Sequence, residues 1–428
     1  MFRKVLLIPF AILLSIPACS PTGETGTSQA INQNQYFADA LINNPKKDFN
    51  NTGISLNKKY VKSVQSFSND FYKTIQDKTN QIYSPVSIAT CFSMLYEGTR
   101  TSSQEELKGM LHYDESFNHQ KSIQDMLLKC AINDKEHDAF LDLAQSFWVD
   151  DSFAEDVNKD YLKVLEEYYY AEAFQGRLAS DAMHQLLADY INAKTNNFLD
   201  VKKEDFKDLE GVLWLLNTIY SKAPWVEEFD VAMNRNMTFN NIDKTTKQMT
   251  FMSKVVEEGY YIEGENYLVS SLPLLHDLSF NMLLPNEGED YAKVLSSEEA
   301  LNAMYNVSNG IGCEQCKIHY IIPKFENKAK YDLNLLLPKM GVSKIFTPGL
   351  ADLTGIGGGL YVAKSLHEAG IKVDNAGTEA AAYTIIVVDK AVPSEPEKII
   401  NFVCDRPFAY SITTSEGLPL FVGSNFKF

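Results

Sequence analysis

The sequence predicts one large α+β domain, and three observations support this fold class. The chain has 428 residues, 45% of them hydrophobic and 12% aromatic, so it can bury a large core. Apolar residues at helical spacing crowd the first half of the chain, whereas strand-like runs crowd the second half. Strands and helices do not alternate as they do in parallel α/β folds, and no internal repeat is visible.

The predicted helices come first. In "YVKSVQSFSNDFYKTI" the apolar residues recur every three or four positions, which indicates an amphipathic helix. In "SPVSIATCFSMLYEGT", Ser84 is a good N-cap and Pro85 suits the first turn, so a buried helix is expected there. In "SSQEELKGML", Ser102 or Ser103 is expected to cap a further helix.

The predicted strands follow. Runs rich in β-branched and aromatic residues indicate strands in "GVLWLLNTIYSK", "LSFNMLLP", "CKIHYIIPKF" and "GIKVD". Near the end of the chain, "INFVCDRPFAYSI" and "LPLFVGSNF" have the same character. The sheet-forming part of the domain is therefore expected to be completed by the last residues of the chain.

The N-terminus has the pattern of a targeting segment. Arg3 and Lys4 precede an apolar run that is too short to span a membrane, so residues 1–18 are predicted to be a signal peptide. The ending "IPAC" resembles a bacterial lipobox, which makes Cys19 the candidate for lipidation; ordinary cleavage near Ala18 is the alternative. Residues 19–58 are polar and are predicted to be a flexible tether, with the domain at 59–428. We therefore expect a secreted protein, anchored by lipid to a bacterial membrane and facing the periplasm or the outside.

Composition and motifs exclude several functions. The formal net charge of −17 and the lack of a basic stripe argue against nucleic-acid binding. The sequence contains no nucleophile elbow, no HExxH and no phosphate-binding loop, so no catalytic residue is assigned. The single CxxC at Cys313 and Cys316 lacks a second ligand pair, so no metal is expected; a local disulfide and two plain thiols both remain open. No cofactor is expected.

The segment "NAGTEAAAYTIIVVDKAVPSEPEK", from Asn375 to Lys398, combines helix formers, strand formers and prolines. As a strand, it would place only uncharged residues from Thr378 to Val388 on one face, because side chains alternate with a period of two. The prolines Pro393 and Pro396 instead indicate an exposed loop. A segment that is a loop in one state and a sheet strand in another satisfies both patterns.

From about Lys59 to Phe428 the sequence resembles the serpins. The resemblance rests on motifs in the family's order, among them "NQIYSPVSIATCFSMLYEGTRTSSQEELKGML", "LLNTIYSKAPWVEEF", "LHEAGIKVDNAGTEAAA" and "FVCDRPFAYSI". It implies helices packed on three β-sheets, with a large central sheet and an exposed reactive-centre loop. It also implies a suicide-substrate mechanism, in which the protease cuts the loop and is trapped as an acyl-enzyme while the loop inserts into the central sheet.

The resemblance assigns the loop residues. The hinge, where insertion begins, corresponds to Gly377, Thr378, Glu379, Ala380, Ala381 and Ala382. Counting along the family's spacing places the reactive bond at Ala391–Val392, which suits an elastase-like protease. A shift of one residue gives Lys390–Ala391, which suits a trypsin-like protease. Tyr383 departs from the usual small residue but falls on the outward face of the strand.

The resemblance also assigns two sites in the sheet. The shutter, which holds two central strands together, corresponds to Ser84, Ser87, Asn217 and His367. The breach, at the top of the sheet, corresponds to Trp225, Lys324 and Asn375. The family usually has a glutamate where this chain has Asn375, so only a weaker hydrogen bond from Asn375 to Lys324 is expected.

Together these features predict a monomeric inhibitor of serine proteases, with cysteine proteases as further candidate targets. It would not be an enzyme. Its partners would be the target protease and, through the lipid, a membrane. The alternative is a non-inhibitory serpin that acts as a binding or carrier protein, which the departures at Asn375 and Tyr383 favour.

Overall fold

The computed structural model describes residues 39–42, 45–51, 53–207, 211–310, 312–378 and 398–428. The predicted signal peptide and Cys19 lie outside the described residues. So do the hinge residues from Glu379 to Ala382 and both candidate reactive bonds. All of the described residues belong to one compact unit.

The described α-helices lie mainly in the first half of the chain, as the spacing of apolar residues predicts. They are α1 (Lys58–Ile75), α2 (Pro85–Gly98), α3 (Thr101–Met110), α4 (His119–Lys129), α5 (Lys159–Tyr169), α6 (Asp181–Lys194), α7 (Tyr291–Leu295), α8 (Glu298–Asn306) and α9 (Leu333–Leu336). Within the described ranges, no helix combines the length and the apolar character that crossing a bilayer requires.

The strands lie mainly in the second half. They are β1 (Asp39–Ile42), β2 (Gln81–Tyr83), β3 (Ile132–Asp134), β4 (Ala139–Asp150), β5 (Glu172–Gly176), β6 (Leu213–Pro224), β7 (Arg235–Asn240), β8 (Thr246–Glu263), β9 (Tyr267–Leu274), β10 (Leu278–Pro285), β11 (Glu314–Pro323), β12 (Phe325–Asp332), β13 (Leu366–Val373), β14 (Gly377–Thr378), β15 (Ile399–Val403), β16 (Phe408–Thr414) and β17 (Pro419–Asn425).

The strands form two hydrogen-bonded sheets. The first has the order β1-β5-β4-β6-β14-β13-β12, with β3 added beside β4. The second has the order β15-β11-β8-β9-β10-β16-β17-β2, with β7 added beside β8. The large central sheet that the resemblance implies is the first of these. Of the three sheets expected, two are joined through β8, because this 18-residue strand pairs with β7, β9 and β11.

Helix α2 is the buried helix that the sequence predicts. Ser84 caps it, because the Ser84 hydroxyl accepts a hydrogen bond from the Ser87 amide at 3.2 Å, and Pro85 occupies the first turn. The predicted cap of α3 is wrong. That helix begins at Thr101 without a side-chain cap, and the Ser103 hydroxyl instead accepts from the Asp352 amide at 3.0 Å. The start of α3 is therefore fixed by a distant loop.

The predicted tether is too long, because part of it is bound to the central sheet. Strand β1 pairs with β5, and Lys47 bonds to the Asp142 carboxylate and to the Leu143 carbonyl. Asn50 exchanges two hydrogen bonds of 2.9 and 2.8 Å with the Asn133 backbone. The polar side chains that suggest a solvated linker thus have partners along the edge of the sheet, so the domain includes residues before Lys59.

The cysteines in the described ranges are free thiols. This group includes Cys313 and Cys316, which favours two plain thiols over a local disulfide. Burial raises the pKa of the Cys91 thiol to about 12, so it is protonated at neutral pH.

Candidate functional site

Among the residues that the structure describes, the central sheet has a gap between β6 and β13. Strand β14 occupies only its top, where Thr378 pairs with Ala223 of β6 and with Val373 of β13. Within the described residues, β6 and β13 have no ladder to each other below this point. We call the space between Leu213–Ser221 and Leu366–Lys372 the slot.

Two cavities follow the slot from top to bottom. The upper one has a volume of about 20 Å³ and is bordered by Ile219–Ser221 and Glu368–Lys372. The lower one has a volume of about 160 Å³ and is mostly apolar, with Leu213–Asn217 on one side and Tyr361–His367 on the other. The facing edges of the two strands can therefore accept the backbone of another strand.

The first hinge residues already lie in the sheet. Gly377 has φ 157°, and a Cβ atom there would approach the Ala223 carbonyl oxygen and Pro224 Cα to 2.6 Å, so this position needs glycine. Thr378 is 2% exposed, and its hydroxyl donates to the Ala223 carbonyl at 3.1 Å. Its side chain borders the upper cavity together with Ile412 and Phe421, so it lies on the inward face of the sheet.

The structure brings the four shutter residues together under the slot. The Ser84 amide donates to Nε2 of His367 at 3.0 Å, and the Ser87 hydroxyl donates to Oδ1 of Asn217. Ser84 and Ser87 come from the start of α2, Asn217 from β6 and His367 from β13. The cluster therefore links the helix below to both strands that border the slot.

His367 is held in its neutral form. Its Nε2 accepts a hydrogen bond, so that nitrogen carries no proton, and the ring stacks on Tyr331 with 6.3 Å between centroids. Burial lowers the pKa of His367 to about 3, because the imidazolium would lose its hydration. No carboxylate among the described groups contributes to this shift.

Some buried polar atoms at the shutter have no hydrogen-bond partner among the described residues. They are Nδ2 of Asn217 and both side-chain polar atoms of Gln145, which lies opposite Asn217 on β4 and is 1% exposed. Sequence reasoning missed Gln145. The strand that contains Gln145, β4, was not predicted from the sequence, and the strand that pairs with it cannot be identified from sequence.

The breach differs from the expectation. Trp225 is 3% exposed, and its indole nitrogen donates to the Asp374 carbonyl at 2.9 Å. Asn375, however, bonds to Asn234 and not to Lys324. The two amides exchange hydrogen bonds of 3.0 and 3.1 Å, and Nδ2 of Asn375 also donates to the Phe229 carbonyl at 2.9 Å. The Asn375 side chain is 6% exposed, so its amide needs partners inside the fold, and Asn234 and the Phe229 carbonyl supply them.

Replacement of Asn375 by alanine is expected to lower the free energy of unfolding by about 1–3 kcal/mol, since the buried Phe229 carbonyl and the Asn234 amide would each lose a partner. Urea titration of Asn375→Ala, Asn234→Ala and the double variant would measure this effect. The losses in free energy of unfolding should be clearly non-additive, because each single variant removes the same Asn375–Asn234 contact. Additive losses would show that the amide pair contributes nothing.

The site is suited to accepting a strand. In the described part of the chain, no three His, Cys, Asp or Glu side chains are placed to hold a metal ion. What the site presents is a pair of strand edges, a polar cluster between them and a short inserted strand at the top.

Comparisons with known proteins agree with this geometry. The family described as Serpin (serine protease inhibitor) matches residues 62–427. An uncharacterized serpin-like protein of Thermococcus kodakarensis is 27% identical, over 98% of this chain and 98% of its own length. The leukocyte elastase inhibitor of Homo sapiens is 26% identical, over 80% of this chain and 92% of its own length.

Solved structures agree on the fold. The native state of tengpin, a thermophilic serpin, has a TM-score of 0.76 at 24% identity and covers 91% of this chain and 100% of its own. A thyroxine-binding globulin in complex with thyroxine has a TM-score of 0.69 at 22% identity and covers 86% of this chain and 98% of its own. With a family match over most of its length, and with Gly377 and Thr378 paired in its central sheet, the chain belongs to the serpin family.

Proposed function

We propose that the protein is a suicide-substrate inhibitor of serine endopeptidases, and that cysteine endopeptidases are further candidate targets. The observation that carries this proposal is the placement of Gly377 and Thr378 at the top of the slot, which no other described residue fills. A protease would cut the loop and remain attached as an acyl-enzyme. The cut loop would then continue down the slot and displace the protease from a productive geometry.

The register of β14 supports this course. Thr378 pairs with Ala223 on one side and Val373 on the other, and both pairings are antiparallel. If β14 continued down the slot without a bulge, Thr384 would lie at the level of the shutter. It would pair with Asn217 of β6 on one side and with His367 of β13 on the other. The Thr384 hydroxyl could then accept from Nδ2 of Asn217, which has no partner among the described residues.

The inserted state would be strongly favoured. About ten residues would gain backbone hydrogen bonds worth roughly 1 kcal/mol each. Burial of Ile386 and Val388 in the apolar lower cavity would add about 1.5–3 kcal/mol for each side chain. A gain of more than about 10 kcal/mol suffices to make insertion irreversible on the timescale of inhibition.

The expected cut is at Ala391–Val392 for an elastase-like protease, or at Lys390–Ala391 for a trypsin-like one. The decisive experiment mixes the protein with pancreatic elastase, neutrophil elastase and trypsin in turn. An inhibitor gives a complex that survives SDS and releases a C-terminal fragment, and the mass of that fragment distinguishes Val392–Phe428 from Ala391–Phe428. If every protease only nicks the chain and stays active, the inhibitor proposal fails.

A lipid anchor at Cys19, outside a bacterial cell, belongs to the same proposal. Attached there, the inhibitor would protect the cell surface from foreign proteases. Its support is the apolar run that ends in "IPAC". Labelling with a palmitate analogue should mark the protein and should be lost in Cys19→Ser; equal labelling of both would refute the anchor.

The second candidate is a carrier without inhibitory activity. It is favoured by Asn375, whose hydrogen bonds go to Asn234 and Phe229, and by the structural likeness to a globulin that binds thyroxine. Loop cleavage separates the two functions. A large rise in melting temperature after cleavage indicates insertion, whereas an unchanged melting temperature favours the carrier.

A further inference from the structure

The lower cavity of the slot has the size and the walls of a site for a small molecule. Its volume is about 160 Å³, and an apolar cavity of about 150 Å³ is enough to bind benzene. Its lining residues come mainly from α2, β6 and residues 353–367, and most of the lining is apolar. A concave apolar space that also contains a few polar groups is the usual form of a ligand site.

One polar group at the upper end of the cavity lacks a partner. Asn217 lines the cavity, and its Oδ1 accepts a hydrogen bond from the Ser87 hydroxyl. Its Nδ2 is buried and has no hydrogen-bond partner among the described residues. A buried donor is stabilised by any acceptor that reaches it. A ligand with an oxygen acceptor would therefore be held at this end of the cavity.

The charges around the cavity select a neutral ligand. Burial lowers the pKa of His367 to about 3 and raises the pKa of the Cys91 thiol to about 12, so both lining side chains are uncharged at neutral pH. Lys364 also lines the cavity, but its ammonium bonds to the Asp332 carboxylate. A carboxylate ligand would lose its hydration without gaining a free cation, whereas a neutral carbonyl oxygen needs only a donor.

The cavity is open to solvent on the side of residues 361–366. Tyr361 and Leu366 both line it, and they are 45% and 37% exposed. A small molecule can therefore enter the lower cavity beside these two residues while the uncut protein stays folded.

We propose that the lower cavity binds small neutral aromatic carbonyl compounds, with the ring in the apolar part and the oxygen at Nδ2 of Asn217, and that such a ligand delays loop insertion. The ligand would occupy the places that Thr384, Ile386 and Val388 take in the inserted loop, so insertion would have to wait until it leaves. This second part rests on the proposed function, whereas the binding itself does not.

Binding is tested on the uncut, full-length protein without protease, by titration with acetophenone followed by NMR of the ligand. We expect one saturable site with a dissociation constant of about 1 mM. The matched ligand is α-methylstyrene, which has the same shape but carries a methylene group in place of the oxygen. In Asn217→Leu, the affinity for acetophenone relative to α-methylstyrene should fall about tenfold, because the donor is gone.

Cys91→Phe locates the site, because it places a ring inside the cavity and should abolish binding. Leu335→Phe is the matched control, since Leu335 is 68% exposed and lies outside the cavity lining, and this variant should bind as the unaltered protein does. Leu366→Trp, at the opening, repeats the test should Cys91→Phe fail to fold. Binding that is unchanged in the cavity variants would overturn the proposal, and so would a titration without saturation at ten times the expected dissociation constant.

The effect on insertion is measured with a protease that forms an SDS-stable complex. At acetophenone concentrations ten times the dissociation constant, about one cavity in eleven is free, so the ratio of cleaved chain to complex should rise about tenfold. Hydrolysis of a short peptide substrate by the same protease, with and without acetophenone, is the control for effects on the enzyme. An unchanged ratio would overturn the delay of insertion. If no protease forms a complex, the delay fails together with the inhibitor proposal, whereas the titration still decides whether the cavity is a binding site.

Discussion

Replacing Thr378 by arginine is expected to convert the protein from an inhibitor into a substrate. Thr378 is 2% exposed and lines the upper cavity together with Ile412 and Phe421. Arginine there would have to bury a guanidinium without a carboxylate partner, which costs several kcal/mol. Insertion would stall while the acyl bond is hydrolysed. SDS gels should show a cleaved chain without the complex, and the protease should keep its activity.

The matched control is Glu379→Arg. The alternation of side chains places residue 379 on the outward face of an inserted strand, where a charge stays in water. This variant should inhibit with nearly unchanged stoichiometry. If Thr378→Arg inhibits as well as Glu379→Arg does, insertion along the register of β14 is not the mechanism.

The sequence was informative where a pattern is local. The helical spacing before Ile75, the Ser84–Pro85 helix start and the β-branched runs from Leu213 onward each reflect a preference of a few adjacent residues. The resemblance added the positions of the shutter. The structure brings those four residues together in three-dimensional space, although Ser84 and His367 are far apart in the chain.

What the sequence could not predict depends on distant partners. The polar residues Lys47 and Asn50 read as a solvated linker, yet their hydrogen bonds go to the edge of the central sheet. Asn375 was expected to bond to Lys324, but its side chain bonds to Asn234 and to the Phe229 carbonyl. Such pairs form between residues that are far apart in the chain and become neighbours only when the strands and helices pack. A single sequence does not show which residues these are.

The shutter leaves part of its hydrogen-bonding capacity unused. Asn217 satisfies its carbonyl oxygen through Ser87 but leaves its amide nitrogen without a described partner. A buried donor left unsatisfied costs about 1–3 kcal/mol. Insertion of Thr384 into the slot would remove that cost, because its hydroxyl would accept from Nδ2 of Asn217. The uncut state therefore has one fewer hydrogen bond at the shutter than the inserted state would have. The same cluster contains the buried His367.

Acid is expected to destabilise the uncut protein through His367. Its pKa is about 3 in the folded state, because the ring is buried, and about 6.5 when the chain is unfolded. Between these two pKa values, His367 is protonated in the unfolded chain and neutral in the folded chain. The stabilisation is fully present above about pH 6.5 and is lost as the pH falls, by about 2 kcal/mol between pH 7 and pH 5.

Urea midpoints measured at several pH values, for the intact protein and for His367→Gln, isolate this effect. Glutamine can accept the hydrogen bond from Ser84 but does not titrate, so the variant should lose less stability on acidification. His137 acts in the opposite direction, because the carboxylate of Asp134 raises its pKa and that pairing strengthens in acid. Its contribution is common to both proteins and cancels in the difference. Parallel pH dependences for the two proteins would show that His367 is not the group that couples the shutter to acid.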